Sequence, residues 1–140
     1  MPLGHVIKGR QNIIDFLFGK KAKFTLKSMK TGVGIPFVSK NMIKYIAVYT
    51  QVKHIYLGAL TKKYVGGEMQ LSFKACEQYS CDAMWAFEWF ARHFHEYDRI
   101  QIWHQGVCSH CGRVLTDPKS IERGIGPKCY EILRVEELPF

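Results

Sequence analysis

The first half of the chain alternates apolar and polar positions with the period of β-strands. Over residues 22–30, apolar side chains alternate with lysines, as they do in a strand that buries one face. Residues 31–34 then supply two glycines for a hairpin turn. Further segments rich in β-branched and aromatic residues extend to residue 75. The pattern predicts an antiparallel sheet of about four or five short strands over residues 22–75.

Helical spacing replaces this alternation in two segments. Residues 10–18 carry apolar side chains at helical spacing and end before Gly19. Residues 81–95 predict one long aromatic helix, and its apolar stripe consists of Ala83, Phe87, Phe90 and Phe94. Packing on the sheet explains the phenylalanines, whereas Trp85 and Trp89 lie off the stripe and could be exposed to a partner. Residues 99–105 predict one more strand, which leads into a segment rich in cysteine.

The composition is that of a globular domain. The 140 residues are 47% hydrophobic and 23% charged, which excludes a disordered chain and suffices for one core. No apolar run approaches the roughly 18 residues that a membrane span needs. Lys8, Arg10 and Asp15 interrupt the N-terminal segment, where a signal peptide would be continuously apolar. We therefore expect a cytoplasmic protein that does not contact a membrane.

The positive charge is concentrated in the first half of the chain. The formal net charge is +8, but residues 1–63 stand at +11 with Asp15 as their one acid, and residues 64–140 stand at −3. Such an asymmetry produces a positive field that attracts polyanions, of which nucleic-acid backbones are the most common in a cell. The alternative is a solvated sheet face whose lysines prevent edge-to-edge aggregation.

Three cysteines near the C-terminus have the spacing of metal ligands. Cys108 and Cys111 are separated by two residues and followed by Gly112, as in the tight turn of a zinc knuckle. Cys129 follows Pro127, which favours the first turn of a helix, where the dipole stabilises a thiolate. A knuckle and a helix start that share one metal form a treble clef. Without a secretory signal, zinc is favoured over disulfides, and buried free thiols are the alternative.

The fourth ligand of this site is less well defined by the sequence. Ile132 occupies the position, three residues after Cys129, where a treble clef usually has its last cysteine. His104 on the incoming strand is our first choice, which gives one structural zinc ion bound by His104, Cys108, Cys111 and Cys129. The alternatives are Cys76, Cys81, His110 and water.

The cysteine segment also carries a longer motif. It reads Cys-x-x-Cys-Gly-Arg-x-Leu-Thr-x-Pro-x-Ser-Ile-x-x-Gly-x-Gly-Pro-x-Cys and consists of Cys108, Cys111, Gly112, Arg113, Leu115, Thr116, Pro118, Ser120, Ile121, Gly124, Gly126, Pro127 and Cys129. The motif resembles that of domain-of-unknown-function family 6011, a small zinc-binding domain of phage and bacterial proteins. Residues 24–32, residues 86–93 and His104 also resemble segments that family members carry upstream. The resemblance implies a phage or prophage origin and a zinc fold, but no function, because none is established for the family.

These observations together predict an α+β fold class: an antiparallel sheet with one long aromatic helix and a C-terminal treble-clef-like zinc lobe. Residues 1–98 form the basic sheet and helix in this prediction. Residues 99–140 form the zinc-binding lobe, and the two parts pack as one unit.

The first functional hypothesis is a non-enzymatic, zinc-containing nucleic-acid-binding protein of phage origin. Basic residues would contact phosphates, and strand aromatics would stack on unpaired bases. The predicted phosphate contacts are Lys20, Lys21, Lys23, Lys27, Lys30, Lys40, Lys44, Arg113, Lys119, Arg123 and Lys128. The predicted stacking residues are Phe24, Phe37, Tyr45, Tyr49 and Tyr56. For Arg113 an equal alternative is a structural ion pair with Asp117 or Glu136.

Two other functions fit parts of the sequence. A phage accessory protein that binds or inhibits a host protein, such as a nucleic-acid-processing or defence enzyme, fits the small size, the aromatic content and the polarised charge. A treble-clef nuclease would need a second metal cluster, for which the candidates are His93, His95, Glu96 and Asp98. We favour the first hypothesis and keep the host-protein partner as its alternative.

Overall fold

The computed structural model describes residues 4–77, 81–94 and 99–136. Its elements in chain order are β1 (His5–Val6), α1 (Arg10–Leu17), β2 (Lys21–Ser28), β3 (Gly34–Asn41), β4 (Ile46–Thr50), β5 (Tyr56–Val65), β6 (Glu68–Ala75), α2 (Asp82–Arg92), β7 (Ile100–His104), α3 (Pro118–Arg123) and α4 (Pro127–Glu136). None of the helices in these residues is long and apolar enough to cross a membrane.

The strands form one seven-stranded sheet in the order β1-β7-β2-β3-β4-β5-β6, and every neighbouring pair is antiparallel. The strands β2 to β6 follow one another as a meander of hairpins. At the other end, β7 inserts between β2 and the short N-terminal strand β1. The strand that precedes the cysteines is therefore paired on both sides, which fixes the start of the cysteine segment to the sheet.

The alternation seen in the sequence assigns the two faces of this sheet. Phe24 and Leu26 of β2 point to one face with Phe37 of β3 and Ile102 of β7, and all four are buried. The helices α1 and α2 contribute to the same core, where the ring of Phe87 lies 5.2 Å from that of Phe37. The lysines of β2 point to the opposite face, because they alternate with these core residues.

The fold-class prediction is wrong. The molecule is mostly an antiparallel seven-stranded sheet with short helices and a cysteine cluster near the C-terminus, and no long aromatic helix is seen in the described residues. Helical spacing extends over residues 81–95, but α2 covers 11 residues and the backbone leaves helical geometry at His93. Phe94 is still buried in the core without being part of the helix. The spacing of the aromatic residues therefore predicts correctly which side chains are buried against the sheet, but it predicts a helix that is too long.

A second, smaller core holds the C-terminal segment together. Cys108, Leu115 and Ile125 are buried there, and Ile121, Cys129, Tyr130 and Leu133 pack against them. Asp117 caps α3 by accepting a hydrogen bond from the Ser120 N–H at 3.1 Å, and Gly124 ends that helix in the left-handed conformation. A backbone bond from the Lys21 N–H to the Ser109 carbonyl, 3.0 Å long, fastens this segment to the start of β2.

The predicted division between residues 98 and 99 falls just before β7. This strand pairs with both β1 and β2, so it lies inside the sheet formed by the rest of the chain. The cysteine segment is a continuation of a sheet strand.

Candidate metal centre and nucleic-acid interface

Cys108 and Cys111 lie in a tight turn whose ends are held together by backbone hydrogen bonds. The Cys108 N–H donates to the Arg113 carbonyl and the Gly112 N–H donates to the Cys108 carbonyl, both at 2.9 Å. Gly112 has a φ of +80°, a conformation that residues with a Cβ rarely adopt. The glycine after the second cysteine therefore closes the knuckle, as its position in the sequence predicts.

Cys129 reaches the knuckle from the first turn of α4. Pro127 begins this helix, and the Tyr130 N–H donates to the Gly126 carbonyl at 2.9 Å, which closes the first turn. Proline suits this position because the first helical N–H has no partner within the helix. The local sequence thus places the third thiol at a helix N-terminus, next to the loop that carries the other two.

The three thiols form a compact cluster. The Sγ atoms of Cys108, Cys111 and Cys129 all lie within 4.8 Å of one another. Cys108 is buried, Cys129 is half-buried and Cys111 is exposed. Two backbone N–H groups, those of Gly126 at 3.2 Å and His110 at 3.4 Å, donate to the Cys108 sulfur. Converging thiols with amide donors aimed at a sulfur are typical of a thiolate metal site, and this cluster could hold a metal ion.

The cluster makes the three thiols unequal as acids. Burial alone would raise the pKa of Cys108, but the hydrogen bonds that its sulfur accepts, first that of the Gly126 N–H, bring the pKa below its usual value. Burial and then the neighbouring thiols of Cys111 and Cys108 raise the pKa of Cys129 to about 12. Ionisation at Cys108 therefore opposes ionisation at Cys129, and a bound cation would offset that repulsion.

His104 does not join the cluster. Its side chain is fully buried, and both ring nitrogens have backbone partners: Nδ1 accepts from the Gly106 N–H at 3.0 Å, and Nε2 donates to the Ile121 carbonyl. A neutral ring with the proton on Nε2 satisfies both bonds. Burial, and secondarily His5, lowers the pKa of His104, whereas the bond to Ile121 opposes that shift. His104 therefore joins β7 to α3 and does not take the position of fourth metal ligand that the sequence predicts for it.

The other fourth-ligand candidates also point elsewhere. Cys76 and Cys81 pack against the main core, not the small core that holds the cluster. His110 lies inside the knuckle, but its Nε2 contacts the Asp15 carbonyl of α1 at 3.0 Å. Among the residues that the structure describes, the metal-ligating side chains at this site are the three cysteines.

The lysines of β2 and β3 gather on the sheet face that lacks the core. We call this the open face and define it by Lys21, Lys23 and Lys27 of β2, Lys40 of β3, Tyr49 of β4 and Trp103 of β7. The register sets it: Lys21 pairs with Lys40, Lys23 with Val38, and Val38 with Tyr49. Side chains of paired residues share a face. Four of the eleven predicted phosphate contacts are therefore brought together here.

Lys20 connects the open face to the knuckle. With Lys21 and Lys23 it lines a cavity of about 460 Å³, whose far side is formed by Gln105 and the loop from Val107 to Gly112. The knuckle and the basic strand thus form one continuous surface.

The remaining predicted contacts are scattered. Lys30 and Lys44 lie in turns, and Lys119, Lys128 and Arg113 are exposed on the C-terminal segment. Among the described residues Arg113 forms no ion pair with Asp117, and the Glu136 side chain lies outside them. Arg123 is half-buried, with its guanidinium 4.0 Å from the centre of the Tyr130 ring. Arg123 therefore braces α3 against α4.

The predicted stacking residues divide by face. Phe24 and Phe37 are buried in the core, so the prediction that they stack on bases is wrong. Tyr45 and Tyr56 are exposed, and Tyr49 is half-buried on the open face. Alternation predicts which residues share a face, and the phenylalanines belong to the face that the helices cover.

Sequence reasoning missed two aromatic residues of this surface. Trp103 shares the face of Lys27, whose Nζ lies 5.8 Å from the centre of its ring. His54 stacks on Tyr49 with 4.4 Å between the ring centres. The sequence of β7 could have predicted that Trp103 lies on this face. Along the strand, Gln101 and Trp103 alternate with Ile100, Ile102 and His104. No local signal places His54, which lies in a turn.

Of the four residues predicted for a nuclease site, the structure describes only His93. His93 lies at the end of α2, where its Nδ1 contacts the Trp89 carbonyl at 3.0 Å. His95, Glu96 and Asp98 lie outside the described residues.

Comparison with known proteins identifies the cysteine segment. Residues 104–134 match the model of a family of unknown function, DUF6011, which confirms the resemblance stated from the motif. The match begins at His104, so most of the sheet lies outside it. No match was found among curated proteins or among solved structures.

Proposed function

We propose that this chain is a non-enzymatic, zinc-containing nucleic-acid-binding protein that contacts phosphates through its open face. The observation that carries the proposal is the charge of the sheet. Strands β2, β3 and β5 contain lysines, and none of the strands β2, β3, β4, β5 and β7 contains an acidic residue. On the open face no carboxylate of these strands competes with a phosphate for Lys21, Lys23, Lys27 or Lys40.

Lysine ammonium groups suit this role because they are flexible point charges that follow a backbone without reading its bases. Thr25 and Val38 lie between these lysines on the open face and are buried, as is expected where the nonpolar parts of lysine side chains cover a sheet. Affinity should therefore come mainly from counterion release and fall steeply with salt.

Zinc has a structural role in this proposal. Cys108, Cys111 and Cys129 would hold the ion and lock the knuckle to α4. Thiolate-rich sites are typical of structural zinc, and five free cysteines suit a reducing cytoplasm. Because the knuckle borders the same cavity as Lys20 and Lys21, a rigid knuckle would also fix one end of the basic surface.

Fluorescence anisotropy with labelled DNA and RNA, at low and physiological salt, tests the proposal. The double variant Lys23→Glu/Lys40→Glu should lose most of the affinity. The control Lys8→Glu/Lys62→Glu changes the net charge equally at exposed positions outside the defined open face, and it should lose little. Equal losses would indicate a general charge effect, and absence of binding at low salt would refute the proposal.

A second candidate function is the binding of a protein partner. A groove of about 860 Å³ runs between α2 and the β2–β3 hairpin, with Trp89, Met29 and Val33 among its lining residues. Exposed aromatic and methionine side chains are typical of protein-binding surfaces. A host protein retained from nuclease-treated lysate by the wild type and by Trp85→Ala, but lost with Trp89→Glu, would support this function.

A further inference from the structure

We infer that the open face binds single-stranded nucleic acid, with bases stacked on Trp103 and on the His54–Tyr49 pair. This inference rests on the proposed function and names its substrate class. It is carried by the two aromatic ring sites that lie on either side of the lysines, because phosphate binding alone does not require such rings.

Trp103 is a fixed ring on this face. Its strand is paired on both sides, with Trp103 opposite Thr25 of β2 and Val6 of β1. The indole Nε1 donates to the Gln101 Oε1 at 3.1 Å, which restrains the ring. The Lys27 Nζ lies 5.8 Å from the centre of the ring, and if this lysine turned toward a phosphate the ring would be open to a base. A ring held in this way loses little entropy when a base stacks on it.

His54 and Tyr49 form the second ring site. Their planes are 7° apart, and Tyr56 meets Tyr49 with 5.5 Å between ring centres. Lys40 lies beside the pair and donates from Nζ to the His54 Nε2 at 3.2 Å. His54 is exposed, and its φ of +53° is unusual for a residue with a side chain. The turn thus holds an exposed ring on an aromatic support despite a conformational cost.

The two ring sites are separated by lysines. Trp103 on β7 and Tyr49 on β4 are three strand spacings apart, about 14 Å across the sheet. The strands between them carry Lys21, Lys23 and Lys40 on the same face. A single strand that crosses the sheet can place bases on the rings and phosphates on these lysines.

A duplex does not fit this arrangement. Its bases are paired and stacked, so they cannot reach rings that lie on a sheet surface. The major groove is only about 12 Å wide and admits a helix or a two-stranded ribbon. The face of a seven-stranded sheet is too broad to enter it.

The test uses Trp103 as its own probe. In the variant Trp85→Phe/Trp89→Phe, Trp103 is the only tryptophan that remains. Its fluorescence is titrated with oligothymidylate, oligouridylate and a duplex, each of about 12 nucleotides per strand. We expect quenching by the single strands and little by the duplex. The thymidylate and uridylate arms distinguish DNA from RNA.

Substitutions then separate stacking from charge. Trp103→Ala and, independently, His54→Ala should each weaken single-strand binding about 10-fold and leave the salt dependence unchanged. Trp85→Ala is the matched control and should change nothing. His54→Ala, in an exposed turn, keeps the test valid if Trp103→Ala fails to fold.

The outcomes distinguish this inference from the proposed function. Equal affinity for duplex and single strand, or wild-type affinity in both aromatic variants, would overturn the stacking inference while nucleic-acid binding stands. Failure of every nucleic acid to bind at low salt would overturn both.

Discussion

The Nε2 of His104 donates a hydrogen bond to the carbonyl oxygen of Ile121, which joins the last strand of the sheet to α3. The same ring accepts a bond from the Gly106 N–H at 3.0 Å through Nδ1. Both bonds need the neutral ring, because a protonated Nδ1 cannot accept. One of the contacts that attach the cysteine segment to the sheet therefore depends on the protonation state of a buried side chain.

The first prediction concerns pH. Burial lowers the pKa of His104 below its ordinary value of 6.5, so the unfolded chain binds a proton there that the folded chain excludes. The contribution of neutral His104 to the free energy of unfolding should be complete above about pH 6.5, the pKa of histidine in the unfolded chain. It should be lost as the pH falls from there toward the pKa of His104 in the folded protein, by at most about 1.4 kcal/mol per pH unit. Urea unfolding between about pH 7.5 and about pH 5.5, with chelator present, measures the slope.

Two variants identify the group responsible. His104→Gln should be less stable than the wild type at neutral pH but should show a flatter pH dependence. His54→Gln is the control, because His54 is exposed and should leave the slope unchanged. An unchanged slope in His104→Gln would show that a group other than His104 sets the pH dependence.

The second prediction concerns the metal. If the three thiols bind zinc only in the folded state, zinc should raise the free energy of unfolding by about 2.7 kcal/mol at a free concentration one hundred times its Kd. Differential scanning fluorimetry with zinc and with chelator measures the shift in Tm. Cys111→Ser should abolish the response, and Cys76→Ser, outside the cluster, should keep it. The same Tm with zinc and with chelator would show that the cluster holds no stabilising metal.

The third prediction concerns Gly124. A Cβ at this position would lie 2.4 Å from the ring of Phe16, and the φ of +72° disfavours any side chain. We expect Gly124→Ala to destabilise the fold by roughly 2–4 kcal/mol, from strain and overpacking together. Gly66→Ala is the control: its φ is +59° and nothing lies within 4 Å of its Cβ position, so it should cost only about 1 kcal/mol. Equal costs, measured by urea unfolding, would contradict the packing argument.

The fourth prediction concerns Phe87. Its ring is fully buried and lies within 6.2 Å of four other phenylalanine rings, those of Phe24, Phe37, Phe73 and Phe90. Phe87→Ala should cost about 3–5 kcal/mol of unfolding free energy. Trp85→Ala on the exposed side of the same helix removes a larger side chain and should cost less than about 1 kcal/mol. Comparable losses would mean that α2 is not docked as described.

The parts of the site that depend on local sequence could be predicted. The cysteine spacing, Gly112 after the second cysteine and Pro127 before the third fix a turn and a helix start, and their geometry follows from two short segments. The lysines of β2 likewise share a face because side chains alternate along any strand.

The parts that depend on distant contacts could not be predicted. His104 has the spacing of a ligand, but its ring is hydrogen-bonded to the backbone of Gly106 and of Ile121. The position of Ile121 depends on how α3 packs. β1 spans two residues, too few for any periodicity, and it exists because β7 offers it a partner. The aromatic stripe of α2 indicates burial correctly, whereas the end of the helix at His93 depends on tertiary structure.

The insertion of β7 between β1 and β2 has a consequence for synthesis of the chain. β2 can pair with β3 as soon as both have left the ribosome, but the other edge of β2 stays unpaired until residues 100–104 have been synthesised. Such long-range pairing is slow, and an unpaired edge is a template for aggregation. The strand with this unpaired edge, β2, carries Lys21, Lys23 and Lys27. Repulsion between these lysines on two nascent chains should keep the chains apart until β7 has paired with β2. The charges proposed to bind phosphate would thus also protect the protein before it is complete.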